Sequence, residues 1–260
     1  VVRAVGRALP QIEAVVQQMI KTLENGGRVI YTGAGTSGRT GIIDAVESGP
    51  TFGCTNEFLG LIAGGYGAIF KAVEGAEDSE ELGVQDLKEN DFSAKDMFIG
   101  VAASGRTPYV IGGIKYAREL GATTACVCCN INTKIGELVD YPIEVNAGPE
   151  VLTGSTRLKS GTCQKVIINM LSTSTMIGLG KVYKNLMVDV MATNEKLVER
   201  CRNIVINATG CDYATADSTL KITNNQCKEA IVMIELGVDH NEAKERLAKA
   251  KGWVRRALEL

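Results

Sequence analysis

One histidine and one tryptophan occur among the 260 residues, with five prolines and only 5% aromatic side chains. Any Ser-His-Asp hydrolase has to use His240, which lies between Asp239 and Asn241 at an expected helix start, a position that suits a surface role. No apolar run reaches ~18 residues, so a membrane-spanning helix is excluded. Charge of one sign is also lacking: 28 Lys and Arg stand against 30 Asp and Glu, a net charge of −2. That balance offers no surface to a polyanion, and nucleic acid is not an expected partner. The chain opens at Val1 on an amphipathic segment rather than a charged-then-apolar leader, which sets the expectation of no secretory signal. The absence of an initiator methionine sets the expectation of residues upstream.

Core-forming material is plentiful, with 45% hydrophobic and 22% charged residues, which excludes disorder. Eight cysteines are scattered through a chain too large to need staples, which suits a reducing, cytoplasmic compartment. Cys126, Cys128 and Cys129 crowd one expected strand. Alternation sends neighbours to opposite faces, so a shared zinc site is disfavoured and buried small apolar residues are expected.

Apolar spacing over residues 3–24 predicts one helix, stopped by Gly26-Gly27. Strands are expected at residues 28–32, 58–63, 97–102, 123–129 and 142–145. Helices between them are expected near 40–47, 68–74, 108–120 and 134–139. Short apolar strands alternating with helices imply an α/β fold with a parallel sheet covered on both faces. After Thr156 no strand is expected. Long helices follow at 161–181 and 193–207, then three shorter ones near 211–220, 223–236 and 240–258, with Trp253 expected to anchor the last. A composition shift at Ala208-Thr-Gly210 puts the boundary between an α/β body, residues 1–207, and a helical tail, residues 208–260.

The first strand runs into Gly33-Ala-Gly-Thr-Ser-Gly-Arg39 and a helix. The third runs into Ala103-Ser-Gly-Arg-Thr-Pro108 and another helix. Glycines let backbone approach a ligand, amides at a helix start point at an anion, and hydroxyls add donors. Both loops lie at carboxyl ends of parallel strands, where ligands gather. No Gly-Lys-Ser/Thr follows, so neither is a P-loop. Gly33, Gly35 and Gly38 match a dinucleotide fingerprint in spacing alone, because Glu57 begins the second strand where that fingerprint wants an acid at its end. Two Ser/Thr-rich loops form a phosphosugar pattern, with Gly35, Thr36, Ser37, Gly38, Ser104, Gly105 and Thr107 as candidate binding residues and Ser155, with Thr156, completing the pocket. Arg39 and Arg106 either add charge there or brace a carboxylate. Arg157 or Lys159 either reaches an anion or lies on a solvated helix face.

The two loops resemble those of the sugar isomerase (SIS) domain family. Asp44-Ala-Val-Glu-Ser-Gly-Pro-Thr51, Ala72-Val-Glu-Gly-Ala-Glu-Asp78 and Gly148-Pro-Glu-Val-Leu-Thr-Gly-Ser-Thr-Arg-Leu-Lys159 together resemble the N-acetylmuramic acid 6-phosphate etherases. The last segment, extended to Lys165, resembles a signature shared with glucokinase regulatory protein. Similarity continues through Asn185–Val190, Ala192–Lys196 and Asn207–Cys211, and so covers almost the whole chain. The resemblance implies a flavodoxin-like parallel-sheet SIS sandwich with a small helical subdomain, a homodimer with sites near the subunit interface, and a phosphosugar substrate. It implies no cofactor and no metal.

Etherases of this family cleave the lactyl ether at C3 of the sugar. In the open-chain aldehyde the C2 proton is acidified by the carbonyl, and the ether oxygen is beta to it. A base takes the C2 proton, an acid assists lactate departure, and water then adds. One ionised and one protonated carboxyl are needed at the same pH. The family's catalytic glutamates map onto Glu47, at the end of the first loop's helix and assigned as the acid, and Glu77, assigned as the base, with Glu74 and Asp78 flanking it. The chain departs from the family's Asp-Ala-Ser-Glu-Cys-Pro-Pro-Thr at Val46, Ser48 and Gly49. Val46 removes a hydroxyl beside Glu47, and Gly49 is expected to loosen a turn. A non-catalytic phosphosugar sensor is the alternative; it is distinguished by loss of a catalytic glutamate, and both are present. An aldose-ketose isomerase often uses a ring-opening histidine, whereas His240 lies in the tail.

Overall fold

The apolar runs form five short strands, β1 (Val29–Gly33), β2 (Phe58–Ile62), β3 (Met97–Ala102), β4 (Thr123–Cys128) and β5 (Tyr141–Glu144), in a computed structural model that describes residues 1–260. They pair in parallel in the order β2-β1-β3-β4-β5. Every residue of β1 and β3 is buried, as strands covered on both faces require. The order changes direction at β1, whose neighbours are β2 and β3, so the connections leaving β1 and β3 diverge and open a crevice at their carboxyl ends. The expected sheet is present strand for strand.

The chain divides into two compact units, Val1–Glu47 with Thr55–Thr175, and Ser48–Cys54 with Met176–Leu260. The division falls near residue 176 rather than at 208, because the helix expected to close the α/β body packs instead with the tail helices.

In the first unit, α1 (Val2–Arg7) and α2 (Leu9–Glu24) replace the single expected helix. Pro10 in the first turn of α2 has no N–H for the carbonyl of Gly6, so the helix restarts there. α3 (Gly35–Phe52) follows β1, and α4 (Gly65–Phe70) follows β2. α4 ends at Phe70, short of the expected Glu74, because Lys71 is extended. α5 (Glu80–Glu89) was not expected, although Ser79 accepts the Leu82 amide at 3.1 Å and two glutamates occupy the first turn. α6 (Pro108–Glu119), α7 (Lys134–Leu138) and α8 (Lys159–Gly178) complete the unit. α5 lies against α6 because Gly83 and Gly112 leave room: a Cβ on Gly83 would overlap the Tyr109 carbonyl oxygen, and one on Gly112 that of Glu80. Phe98, Ile114 and Leu87 fill the core beneath.

α3 also differs from expectation. It runs past Glu47 to Phe52, so Glu47 is mid-helix and Gly49 is helical rather than in a turn. Pro50 is accommodated in its last turn.

The second unit holds a two-strand hairpin, β6 (Val182–Tyr183) and β7 (Leu186–Met187), where no strand was expected; Lys184 turns it at φ 55°. Helices α9 (Glu195–Thr209), α10 (Tyr213–Ile222), α11 (Cys227–Leu236), α12 (His240–Lys249) and α13 (Val254–Glu259) pack around Val205, Ile231 and Ala216. The expected helix over 240–258 is two helices, broken where Lys251 and Gly252 take φ of 52° and 78°. Trp253 starts α13 and stacks on Gly180, whose missing side chain makes space for the indole. No helix is long and apolar enough to cross a membrane.

The amino ends of β1 and β3 are tied by one carboxylate. Asp96 accepts the Arg28 amide at 2.8 Å and its Nε and Nη2 at 3.2 and 2.9 Å. Burial raises the Asp96 pKa, but the bonds from Arg28 and the Ser93 amide outweigh it, for a net decrease. Asp96→Ala takes the acceptor from the Arg28 amide and Nε, while Nη2 keeps the Asn90 and Asp91 carbonyls, and we expect a loss of about 1–3 kcal/mol in urea unfolding.

Candidate active site

The loop after β1 and the loop after β3 face one another across the crevice. A cavity of about 430 Å³ is lined there by Ala34, Gly35, Thr36 and Ser37 of the first loop, and Val101, Ala103, Ser104 and Thr107 of the second. Gly154, Ser155, Thr156 and Arg157 close it from the segment before α8, and Glu77 lines it from a short 3-10 turn, Ala76–Asp78. Seven of the expected site residues therefore meet in one place: Gly35, Thr36, Ser37, Ser104, Thr107, Ser155 and Glu77.

Each loop follows from its local chemistry. Gly35 takes φ 53°, a left-handed conformation that glycine adopts at least cost, and turns the chain from β1 into α3. Thr107 is the N-cap of α6, but its hydroxyl caps nothing, which leaves it for the cavity. Ser37 is buried and donates to Gln164 Oε1 of α8 at 3.0 Å. Seven residues further along the same face of α3, Asp44 accepts Asn169 Nδ2 at 2.8 Å and Ser172 Oγ at 2.9 Å. Burial pushes the Asp44 carboxyl upward, against those two bonds. This polar seam fixes the rotation of α3 against α8 and so the aim of Ser37. Gln164, Asn169 and Ser172 were not singled out from sequence; their spacing on α8 gave no signal separate from an ordinary helix.

Four expected residues take other roles. Gly38 and Gly105 do not line the cavity. Gly38 lets α3 close on β1, since a Cβ there would lie 2.6 Å from the Gly33 carbonyl oxygen. Gly105, at φ 67°, turns under Thr133, which is held by Glu144 from β5 at 2.6 Å. Arg39 donates Nε and Nη2 to the Ile69 and Ala68 carbonyls at 2.8 and 2.7 Å, so it closes α4 rather than bracing a carboxylate. Lys159 Nζ donates to the Pro149 carbonyl at 2.7 Å, which leaves Arg157 as the cation of this cavity. Arg106 is exposed and outside the lining.

Glu47 also does not line the cavity that holds Glu77. It is exposed on α3, next to Val46 and one turn from Ile43, both exposed apolar residues at 65% and 61% accessibility.

Outside the cavity, Cys126 and Cys128 share one buried face of β4, as alternation requires. Burial and the neighbouring Cys163 push the Cys129 thiol up to about 12, so it is no nucleophile near neutrality. His240 bonds Glu229 of α11 and serves to join two helices.

The segment that closes the cavity is held by Glu150. Its Oε2 accepts the Lys159 amide at 2.8 Å, and its Oε1 accepts the Ser160 amide and hydroxyl at 2.9 Å. The first amides of α8 are thereby spent on the chain's own carboxylate, and residues 151–158 become a short closed loop that carries Ser155 and Arg157. The Ser160 amide bond, opposed by desolvation, lowers the Glu150 pKa. A carboxylate with a lowered folded pKa contributes stability above the ordinary glutamate value and loses it as pH falls through the folded value. The acid limb of the melting temperature against pH is expected to flatten in Glu150→Gln, with no change between wild-type and variant slopes above pH ~6.

A family model described as "Glucokinase regulatory protein N-terminal SIS domain" matches residues 11–118, and one described as "SIS domain" matches residues 82–174. An N-acetylmuramic acid 6-phosphate etherase of Geobacillus sp. (strain WCH70) is 56% identical over 257 residues, covering 98% of this chain and 87% of that protein. Another, of Exiguobacterium sp. (strain ATCC BAA-1283 / AT1b), is 57% identical over 251 residues, 96% of this chain and 85% of that protein. Among solved structures, a phosphoheptose isomerase from Neisseria gonorrhoeae superposes with a TM-score of 0.50 at 16% identity, over 67% of this chain and 91% of that one, a likeness of fold.

Proposed function

The chain belongs to the N-acetylmuramic acid 6-phosphate etherase family, and on that premise we propose that it is a carbon-oxygen lyase that converts N-acetylmuramic acid 6-phosphate and water to N-acetylglucosamine 6-phosphate and D-lactate, in recycling of cell-wall amino sugars. The observation that carries this reading is the single cavity that joins both Ser/Thr loops to Glu77. Hydroxyls of Ser104, Thr107 and Ser155 suit a phosphate, Ser37 gives its proton to Gln164 and shapes the loop beside them, and Arg157 suits the second anion, the lactyl carboxylate.

In the open-chain aldehyde, Glu77 as carboxylate takes the C2 proton. The electron pair forms the C2–C3 double bond as the C3–O bond breaks, and the acid Glu47 protonates the departing lactyl oxygen. Water then adds to C3 of the unsaturated aldehyde and a proton returns to C2. Atoms balance without an oxidant.

The position of Glu47 supports a homodimer. Glu47 is exposed outside the cavity, beside Ile43 and Val46 on α3, and α4 adds exposed Tyr66 and Phe70 to the same unit. A second copy that covers these apolar groups would bring its Glu47 to the first copy's cavity, completing an acid–base pair that one chain lacks. Eight unpaired cysteines, seven of them buried, fit a cytoplasmic location.

Lactate release from N-acetylmuramic acid 6-phosphate tests the reading. Glu77→Ala and Glu47→Ala are each expected to lose about 10²–10⁴-fold in kcat. Mixing the two inactive variants is expected to restore about a quarter of wild-type activity, through hybrid dimers with one intact site. Binding of the phosphosugar with no lactate from wild type would favour the regulatory alternative.

A further inference from the structure

A second chamber of about 200 Å³ adjoins the cavity and shares Ala34, Gly35 and Glu77 with it. Apart from Arg39, Glu74 and Glu77, its walls are small and apolar. Ala63 and Ala68 are buried at 4% and 3% exposure, and Ala72 and Val73 close the outer side. Val73 is held against the chain at Gly64, where a Cβ would come within 2.9 Å of the valine Cβ. We propose that this chamber receives the acetamido group on C2 of the sugar, and that Ala72 and Val73 set the size of acyl group the enzyme accepts. The proposal rests on the etherase reading and on Glu77 as the C2 base.

Charge assigns the substrate's arms. The sugar carries two anions, the 6-phosphate and the lactyl carboxylate, and one neutral arm, the acetamide. Glu74 and Glu77 both line the chamber. The one cation there, Arg39, already gives Nε and Nη2 to the Ile69 and Ala68 carbonyls. Two carboxylates against one guanidinium leave the lining net negative, which disfavours an entering anion, whereas the acetamide carries no charge. The lactyl methyl is excluded by the same argument, since its carbon also bears the carboxylate. Both anions find donors and Arg157 in the larger cavity.

Geometry agrees with charge. A base that removes the C2 proton lies within hydrogen-bond reach of it. The acetamido nitrogen is bonded to that same carbon, so the arm leaves the sugar beside the base. Glu77 is the one titratable side chain common to both spaces. The apolar far wall then faces the acetyl methyl, and its two exposed residues lie on the non-helical segment after α4.

The test uses lactate release by the full chain from three substrates: N-acetylmuramic acid 6-phosphate, its N-propionyl analogue, and 3-O-lactylglucose 6-phosphate, which has a hydroxyl at C2. Ala72→Leu narrows the chamber and is expected to raise KM for the N-acetyl substrate about tenfold, with little change for the hydroxyl one. Val73→Ala enlarges it and is expected to raise the N-propionyl to N-acetyl ratio of kcat/KM about tenfold. Equal effects of each variant on all three substrates, or an unchanged acyl ratio in Val73→Ala, would overturn the proposal while leaving the etherase standing. No lactate from wild type with any substrate would overturn the etherase reading, and the chamber's role with it.

Discussion

Parallel pairing of β1 with β3, with β2 on the far side of β1, is the constraint from which the site follows. The register sets Gly33 opposite Val101, so the two strands end together. Their outgoing chains cannot both follow the same path, since β1 feeds a connection to β2 on one side and β3 feeds one to β4 on the other. Divergence leaves backbone and hydroxyl groups of both loops around an uncovered space. A side chain at residue 33 would force the two strand ends apart, because a Cβ there would lie 2.8 Å from the Val101 carbonyl oxygen. Apolar burial holds the strands in that register, and Arg28 with Asp96 ties them at the other end.

Around this space the polar groups divide their work. Backbone amides that would attract an anion are largely spent on the protein itself: Ser37 and Gly38 amides bond Ala34, Gly105 bonds Ala102, and the start of α8 is capped by Glu150. Side-chain hydroxyls and one arginine remain to meet a ligand. Ser37 is in turn held by Gln164, so its position depends on the contact between α3 and α8 as much as on its own loop. This arrangement favours precise placement over strong charge, which suits the proposed site, where a phosphate is to be held beside a glutamate that takes a proton.

Strand positions and both Ser/Thr loops were readable because they depend on local pattern: apolar runs, glycine turns and the helix starts that follow. The helix breaks were harder. Pro10 and Lys251-Gly252 interrupt apolar periodicities that continue across them, and periodicity was the stronger signal. α5 was missed although Ser79 and two glutamates mark its start, because its outward face is polar and Gly83 dilutes its apolar stripe. The roles of Gly38, Gly105 and Arg39 misled for another reason. Each sits within a ligand-like motif, and what decided its use was a packing contact: the Gly33 carbonyl for Gly38, Thr133 for Gly105, the end of α4 for the arginine.

Sequence by itself determined the alternation of strands and helices, the two loops with their hydroxyls, the buried character of Cys126, Cys128 and Cys129 and the family to which the chain belongs. These rest on residue type and near spacing. Tertiary structure decided which loop residues meet in one cavity, that Glu77 joins them while Glu47 faces outward, that Arg157 rather than Lys159 lines the space, and that a small apolar chamber lies beside the glutamate. Those outcomes turn on the rotation of α3 against α8 and on the strand order. Both are settled by packing between segments far apart in the chain, such as Ser37 with Gln164 at a separation of 127, and no local pattern encodes them.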